Sequence, residues 1–213
     1  MKTALLASTL AVLAATAFAA DEEGSGRRAG SPEAPAWQFG LTAYPTHVRN
    51  GDDYTAWIGV ADKESLHLEA RHNYEAINAT SAFAGWTFSG GETISWQVTP
   101  LVGGVRGSRE AFVPGLEMSL GWRRFDYYLE GEYVHDRRAE GESYTYAWTE
   151  LGFKPLDWLR FGAAAQRTRI YGDREFQRGP FVQASWRRAK VGAYWFNPGS
   201  SEQVFVGSIG ISF

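Results

Sequence analysis

Four histidines are the first places to look for chemistry, because imidazole titrates near neutral pH and ligates metals through either ring nitrogen. They lie in His47-Val48-Arg49, His67-Leu68-Glu69, His72-Asn73-Tyr74 and His135-Asp136-Arg137. None is followed two residues on by serine, so no local nucleophile–base pair is written into the chain. A triad assembled from distant elements stays open, since triads are defined by geometry rather than by spacing. For metals, His67 and Glu69 share one face of an alternating run and His135 and Asp136 share a loop. Neither pair reaches the three protein ligands of a zinc site, so no metal site is expected. Cysteine is absent, which removes thiolate ligands and disulfides. The loop carboxylates Asp52, Asp53, Asp173 and Glu175 are suited to Ca²⁺ by type but read as solvated. Gly103-Gly104-Val105-Arg106-Gly107 lies between strands rather than before a helix, so it is not a phosphate loop. Asn78-Ala79-Thr80 matches a glycosylation sequon by chance. No catalytic residue and no cofactor is expected.

A second polar set is defined by position rather than by motif. His67, Glu69, Arg71, Glu117, Glu130, Glu132, Glu150, Arg160, Gln166, Gln183 and Lys190 fall in the middle of alternating runs, opposite the oily face. Side chains in a strand alternate faces, so Leu66, Leu68 and Ala70 oppose His67, Glu69 and Arg71. In the same way Phe125, Tyr127, Leu129, Gly131 and Tyr133 oppose Asp126, Tyr128, Glu130, Glu132 and Val134. Tyr144, Tyr146 and Trp148 share parity with Glu150, which places bulky rings on the charged face.

The elements that must carry these residues are strands. From Ala36 onward the chain shows twelve short runs of period-two texture, broken by Gly, Asn, Asp and Pro. They cover about 36–46, 53–61, 65–73, 77–88, 93–103, 110–121, 125–135, 143–153, 158–170, 177–187, 189–197 and 202–213. Connections after even-numbered runs are short (62–64, 89–92, 123–124, 154–157 and 188). Those after odd-numbered runs are mostly longer (47–52, 104–109, 136–142, 171–176 and 197–201), with 74–76 the short exception. An even strand number puts both ends of the set on one side.

Composition agrees. The 213 residues include nine Trp, ten Tyr, thirteen Phe and 24 Gly, yet mean hydropathy is negative. That combination is expected when only half of each strand is oily. Aromatic residues also sort to strand ends. Trp37, Trp86, Trp122, Trp158, Trp186 and Phe213 lie near the short turns, and Tyr44, Tyr54, Tyr74, Phe112, Tyr133, Phe176, Tyr194 and Phe205 near the longer connections. Two such rings suit the two interfaces of a membrane. No later segment is apolar for long enough to be a transmembrane helix.

Met1–Ala19 reads as a secretory signal, with Lys2 at its charged start and Ala17-Phe18-Ala19 as the cleavage pattern. Cleavage there removes one cation and no acid, moving the formal charge from −3 to −4. That balance does not suit nucleic-acid binding. Residues 20–35 are polar and rich in Gly, Pro and charge, and read as a disordered periplasmic linker.

The last run has Phe213, Ile211, Ile209, Gly207 and Phe205 on one face and Ser212, Gly210, Ser208, Val206 and Val204 on the other. Alternation ending on a terminal Phe resembles the C-terminal signature of bacterial outer-membrane β-barrels. The whole of 36–213 resembles a small porin-like member of that class, and Gly152–Leu159 is similar to its periplasmic turns. The resemblance implies an all-β fold, a 12-stranded antiparallel up-and-down transmembrane β-barrel in the outer membrane. It implies outer-membrane lipid and the barrel-assembly machinery as partners, the latter through the C-terminal strand. Residues 36–213 are then a monomeric barrel whose mid-strand charges line the lumen, and the function is a narrow channel for passive diffusion of small polar solutes or ions. A closed barrel using loops 135–142 and 171–176 for surface contacts is the alternative. A lipid-modifying enzyme is the third reading, weakened because outer-membrane phospholipase A uses a His-x-Ser pair that this chain lacks.

Overall fold

The computed structural model describes residues 36–138, 142–170 and 173–213. The segments read as signal peptide (1–19) and linker (20–35) lie outside them. The strands are β1 (Gln38–Val48), β2 (Tyr54–Lys63), β3 (Leu66–His72), β4 (Ala79–Trp86), β5 (Phe88–Gly90), β6 (Ser95–Gly107), β7 (Ala111–Trp122), β8 (Phe125–Asp136), β9 (Tyr144–Leu156), β10 (Leu159–Ile170), β11 (Asp173–Trp186), β12 (Ala189–Phe196) and β13 (Val204–Ser212). Every pairing is antiparallel, and β4 and β5 both pair with β6. Gly85 faces Leu101 and Phe88 faces Val98, so the register runs unbroken past Thr87. β4 and β5 are thus one strand interrupted at Thr87, and the barrel has twelve staves.

Closure follows from the terminal strand. β13 pairs with β12 from Ala189↔Ile211 to Phe196↔Val204 and with β1 from Gly40↔Ser212 to Val48↔Val204. The amides of Phe39 and Phe213 each donate to the other's carbonyl at 2.9 Å, carrying the ladder to the last residue. A closed ladder leaves no open edge. The β2–β3, β7–β8 and β11–β12 connections are tight hairpins, in which Glu64, Arg123 and Arg187 take left-handed backbone angles. Most connections at the other end are longer, such as 73–78 and 197–203. Two expected loops are shorter than their sequence suggests. β6 runs to Gly107 and β11 begins at Asp173, because Ala79↔Gly107 and Ile170↔Asp173 keep pairing where the side chains have turned polar. Loop 104–109 therefore shrinks to 108–110, and the expected loop 171–176 becomes strand from Asp173 onward, with 171 and 172 outside the described residues. The parts of loop 135–142 at 139–141 also lie outside them.

Alternation fixes what faces where. In β13, Phe205, Ile209 and Ile211 are exposed while Val204, Val206 and Ser208 are buried. Large oily side chains are exposed across the barrel, among them Leu41, Trp57, Val102, Leu116, Leu151, Phe161, Val182 and Val191. Trp37, Trp86, Trp122, Trp158, Trp186 and Phe213 are all exposed, and Phe39 stacks between Trp37 (6.2 Å) and Phe213 (5.8 Å). The second ring is corrected. Phe112, Tyr133, Phe176 and Phe205 point outward, but Tyr44, Tyr74 and Tyr194 are buried and Tyr54 is half-buried against the same interior cluster. Parity is the reason for the strand residues: Tyr44 alternates with exposed Pro45, Tyr194 with exposed Trp195, and Tyr54 shares a face with buried Ala56 and Ile58. Tyr74 sits in a connection that folds inward. Proximity to a loop gives the level of a side chain along the barrel, and only parity gives its face.

Candidate functional site in the barrel interior

The interior is where polar chemistry collects. His67, Glu69, Arg71, Glu117, Glu130, Glu132, Glu150, Arg160, Gln166 and Gln183 are buried, and Lys190 is half-buried on β12. In a soluble sheet such residues would face water. Here the alternation turns them toward each other.

Arg71 on β3 anchors one cluster. Its Nε donates to Glu69 Oε2 at 2.6 Å, and Nη1 donates to Glu132 Oε1 at 2.7 Å and Glu130 Oε1 at 3.4 Å. Glu75 Oε1 lies 3.5 Å from Nη1. The planar guanidinium also has Tyr74 on its face at 4.4 Å and Phe83 at 4.2 Å, a role a lysine could not fill. Phe83 in turn lies over Gly103, where an added Cβ would come within 2.3 Å of the ring. Tyr74 Oη donates to Glu130 Oε1 at 2.6 Å and Tyr144 Oη to the Glu75 carbonyl at 2.9 Å. The connection 73–78 therefore folds into the barrel and ties β3 to β8 and β9. Ser81 Oγ donates to Glu75 as well, at 2.7 Å. Burial pushes the Glu75 carboxyl up to about 7, against the opposing pull of Arg71.

Arg160 on β10 anchors a second cluster nearer the short turns. It donates through Nε to Asp126 Oδ1 at 2.9 Å and through Nη1 to Glu150 Oε2 at 2.5 Å and Gln183 Oε1 at 2.8 Å. Its guanidinium lies 4.6 Å from the Phe181 ring. Glu150 Oε1 also accepts from Trp148 Nε1 at 3.1 Å and from Tyr194 Oη at 2.9 Å. Around these bonds an aromatic cluster lines the inner wall of β9, β11 and β12: Trp148 meets Tyr194 edge-on at 5.5 Å and Phe196 at 5.2 Å, and Phe181 stacks on Tyr194 at 5.3 Å. Trp148, Tyr194 and Phe196 are each 0% exposed, so these rings narrow the barrel at this level. An amide chain, Gln166 to Gln177 at 2.7 Å and Gln177 to Glu175 at 2.6 Å, leads toward the longer loops.

The histidines separate. His47 pairs with Asp53 at 2.8 Å on the exposed loop side, His72 bonds Thr80 Oγ1 at 2.9 Å on the outer face, and His135 stacks on exposed Tyr133. His67 alone turns inward, where one ligand atom each from His67, Glu69 and Glu117 lie within 4.8 Å of one another. Spacing alone pairs His67 with Glu69. It does not reveal Glu117, which comes from β7, four staves round the ring counting both ends. It equally misses Glu75, and it places Asp126 on the polar face without joining it to Arg160; the signal for both is a buried guanidinium, which demands carboxylates.

No family model and no curated protein matches the chain. Solved structures do. A structure described as "KdgM porin" superposes with a TM-score of 0.62 at 11% identity, covering 82% of this chain and 99% of that one. "KdgM porin in complex with disordered oligogalacturonate" gives 0.59 at 9% identity, covering 82% and 98%. At these identities the likeness establishes the fold that the strand register describes: the chain is a closed, twelve-stave antiparallel barrel, as those structures are.

Proposed function

We propose that the chain is a narrow porin-like channel of the bacterial outer membrane, passing small polar solutes or ions by passive diffusion with no cofactor and no chemical step. One observation carries this reading: burial is inverted, with Leu41, Leu151, Ile209 and Ile211 exposed outside and Glu69, Glu117, Glu130 and Glu150 buried inside. An oily exterior of that extent needs lipid, and a closed barrel is the only sheet that satisfies its backbone there. The rings of exposed tryptophan and phenylalanine would sit at the lipid interfaces, and the strand termini beside the short turns would face the periplasm. The β13–β1 pairing closes the sheet and leaves no free strand edge for a partner subunit to extend, which favours a monomer. The exposed aromatic end at Phe213 is the proposed contact for the assembly machinery.

Selectivity follows from charge. Six buried glutamates face two buried arginines and one buried histidine among the described residues. An acidic lumen raises the local concentration of cations and repels anions. An oligogalacturonate, bound by one of the similar structures, is a polyanion. This interior is set up for the opposite sign.

A second reading, a closed barrel with a structural or surface role, is favoured by the 0% exposure of Trp148, Tyr194 and Phe196. Refolded protein in planar bilayers separates the two. Reproducible conductance steps that enlarge in Trp148→Ala support the channel. Silence from both wild type and Trp148→Ala leaves only the closed barrel. The enzymatic reading has no comparable support, and phospholipid turnover by purified barrel would revive it.

A further inference from the structure

We propose that the barrel interior near the β2–β3 turn holds a divalent transition-metal site, with His67 Nε2, one oxygen of Glu69 and one of Glu117 as ligands and Asp62 as the group orienting the histidine. The proposal concerns a resident cation and does not depend on whether the barrel conducts.

The geometry of His67 carries it. The side chain is 5% exposed and its Nδ1 lies 2.6 Å from Asp62 Oδ1. That contact makes Nδ1 the donor, so in the neutral ring Nε2 carries the lone pair, the carboxylate–histidine arrangement that metal-bound imidazoles use. Nε2 is buried and has no hydrogen-bond partner. It points instead toward Glu69 Oε1 at 3.6 Å, too far for a hydrogen bond. Glu69 divides its oxygens in the same sense, because Oε2 takes Arg71 at 2.6 Å and Oε1 remains on the His67 side. Glu117 completes the group within 4.8 Å. Its neighbourhood has a second orphan: Tyr128, whose buried hydroxyl is also unpartnered, lies one diagonal step from Glu117 on the same face, through the pairs Glu117↔Glu130 and Ser119↔Tyr128. A neutral imidazole nitrogen beside two carboxylates, out of water, calls for a positive charge among them, which a proton or a metal cation at Nε2 would supply.

The ligand set selects the metal. One imidazole with two carboxylates fits Zn²⁺, and the nitrogen disfavours Ca²⁺ and Mg²⁺. Bonds of about 2.0–2.2 Å in a tetrahedral site place ligand atoms about 3.3–3.6 Å apart. His67 and Glu69 already stand 3.6 Å apart, so only the Glu117 side chain must close in. With three protein ligands the fourth position falls to water.

The test uses the full barrel refolded in detergent, stripped with chelator and titrated with Zn²⁺ by calorimetry, with bound metal counted after desalting. One Zn²⁺ per chain is expected. His67→Ala and Glu117→Gln should each weaken binding at least about tenfold, and Asp62→Asn by about tenfold. His47→Ala, at the exposed pair with Asp53, should leave it unchanged. Heat-modifiable gel mobility establishes that each variant is folded, and Glu117→Gln, which keeps the side-chain shape, decides if His67→Ala is not. Absence of stoichiometric Zn²⁺ in wild type overturns the proposal. So does binding that survives both His67→Ala and Glu117→Gln, or that is lost in His47→Ala. A doubly protonated His67 in the ¹⁵N spectrum after Zn²⁺ addition also overturns it, because a proton would then occupy the place assigned to the metal.

Discussion

Two buried arginines face the same problem and meet it differently. Arg160 is matched: Asp126 and Glu150 share it, Gln183 adds a neutral acceptor, and Lys154 lies 3.7 Å from Asp126. Arg71 is outnumbered, with Glu69, Glu130, Glu132 and Glu75 all within 3.5 Å. The difference is also one of access. Asp126 keeps 19% of its side chain exposed, while every acid around Arg71 keeps 2% or less. Buried ion pairs are weak as net stabilisers, but removing one partner is expensive because a charge is left without water or counter-ion. The two clusters therefore teach that charge balance, more than hydrogen-bond count, sets how strongly an interior depends on one residue. An acid-rich cluster also has to draw in protons or cations, and the His67 group beside Glu69 is where a metal would serve.

Removing Arg71 gives the largest expected effect. Arg71→Ala should lower barrel stability by about 3–5 kcal/mol, measured by denaturant unfolding in detergent micelles. Arg160→Ala should cost less, about 1–3 kcal/mol, because Glu150 keeps its bonds from Trp148 and Tyr194 and Asp126 retains water. Equal losses, or a larger loss at Arg160, would break the comparison.

Acidity sharpens it further. Glu75, at the edge of the Arg71 cluster, has its folded carboxyl raised from 4.5 to about 7 by burial. A raised acid favours the folded state fully below its unfolded value and loses that contribution as pH rises through the folded one. Its contribution should therefore fall between about pH 4.5 and 7. Glu75→Gln should flatten the stability profile across that window; a slope unchanged by Glu75→Gln would remove this assignment. The smallest effect on stability is expected at the rim. Deleting Phe213 removes its stacking with Phe39, worth about 0.5–1.5 kcal/mol, together with the two solvent-exposed end bonds to the Phe39 backbone. Its larger consequence should be a lower yield of inserted barrel in cells. Wild-type yield from the deletion would count against Phe213 as an assembly contact.

Local period-two patterns are enough to read the staves and the inward set, because the face of a side chain is settled by its immediate neighbours. Glu69 and Glu130 can be placed inside without knowledge of any tertiary contact. The contacts across the lumen cannot. Glu117 reaches His67 only after the ring closes through β4 and β6, and no local spacing records that. Tyr44 and Tyr194 mislead for a related reason: their position near loops suggests an interface, yet Trp57 and Trp195 hold the outward parity and the tyrosines face inward. Glu75 is hidden because its connection, expected to be three residues at 74–76, spans 73–78 and folds inward.

An acidic, narrow lumen should show in the reversal potential across a planar bilayer under a tenfold KCl gradient. Small conductance steps are expected, with a reversal potential displaced toward that of K⁺ and a smaller displacement when Glu117 and Glu132 are both replaced by Gln. A reversal potential displaced toward that of Cl⁻, or a bilayer that stays silent even with Trp148→Ala protein, would contradict it.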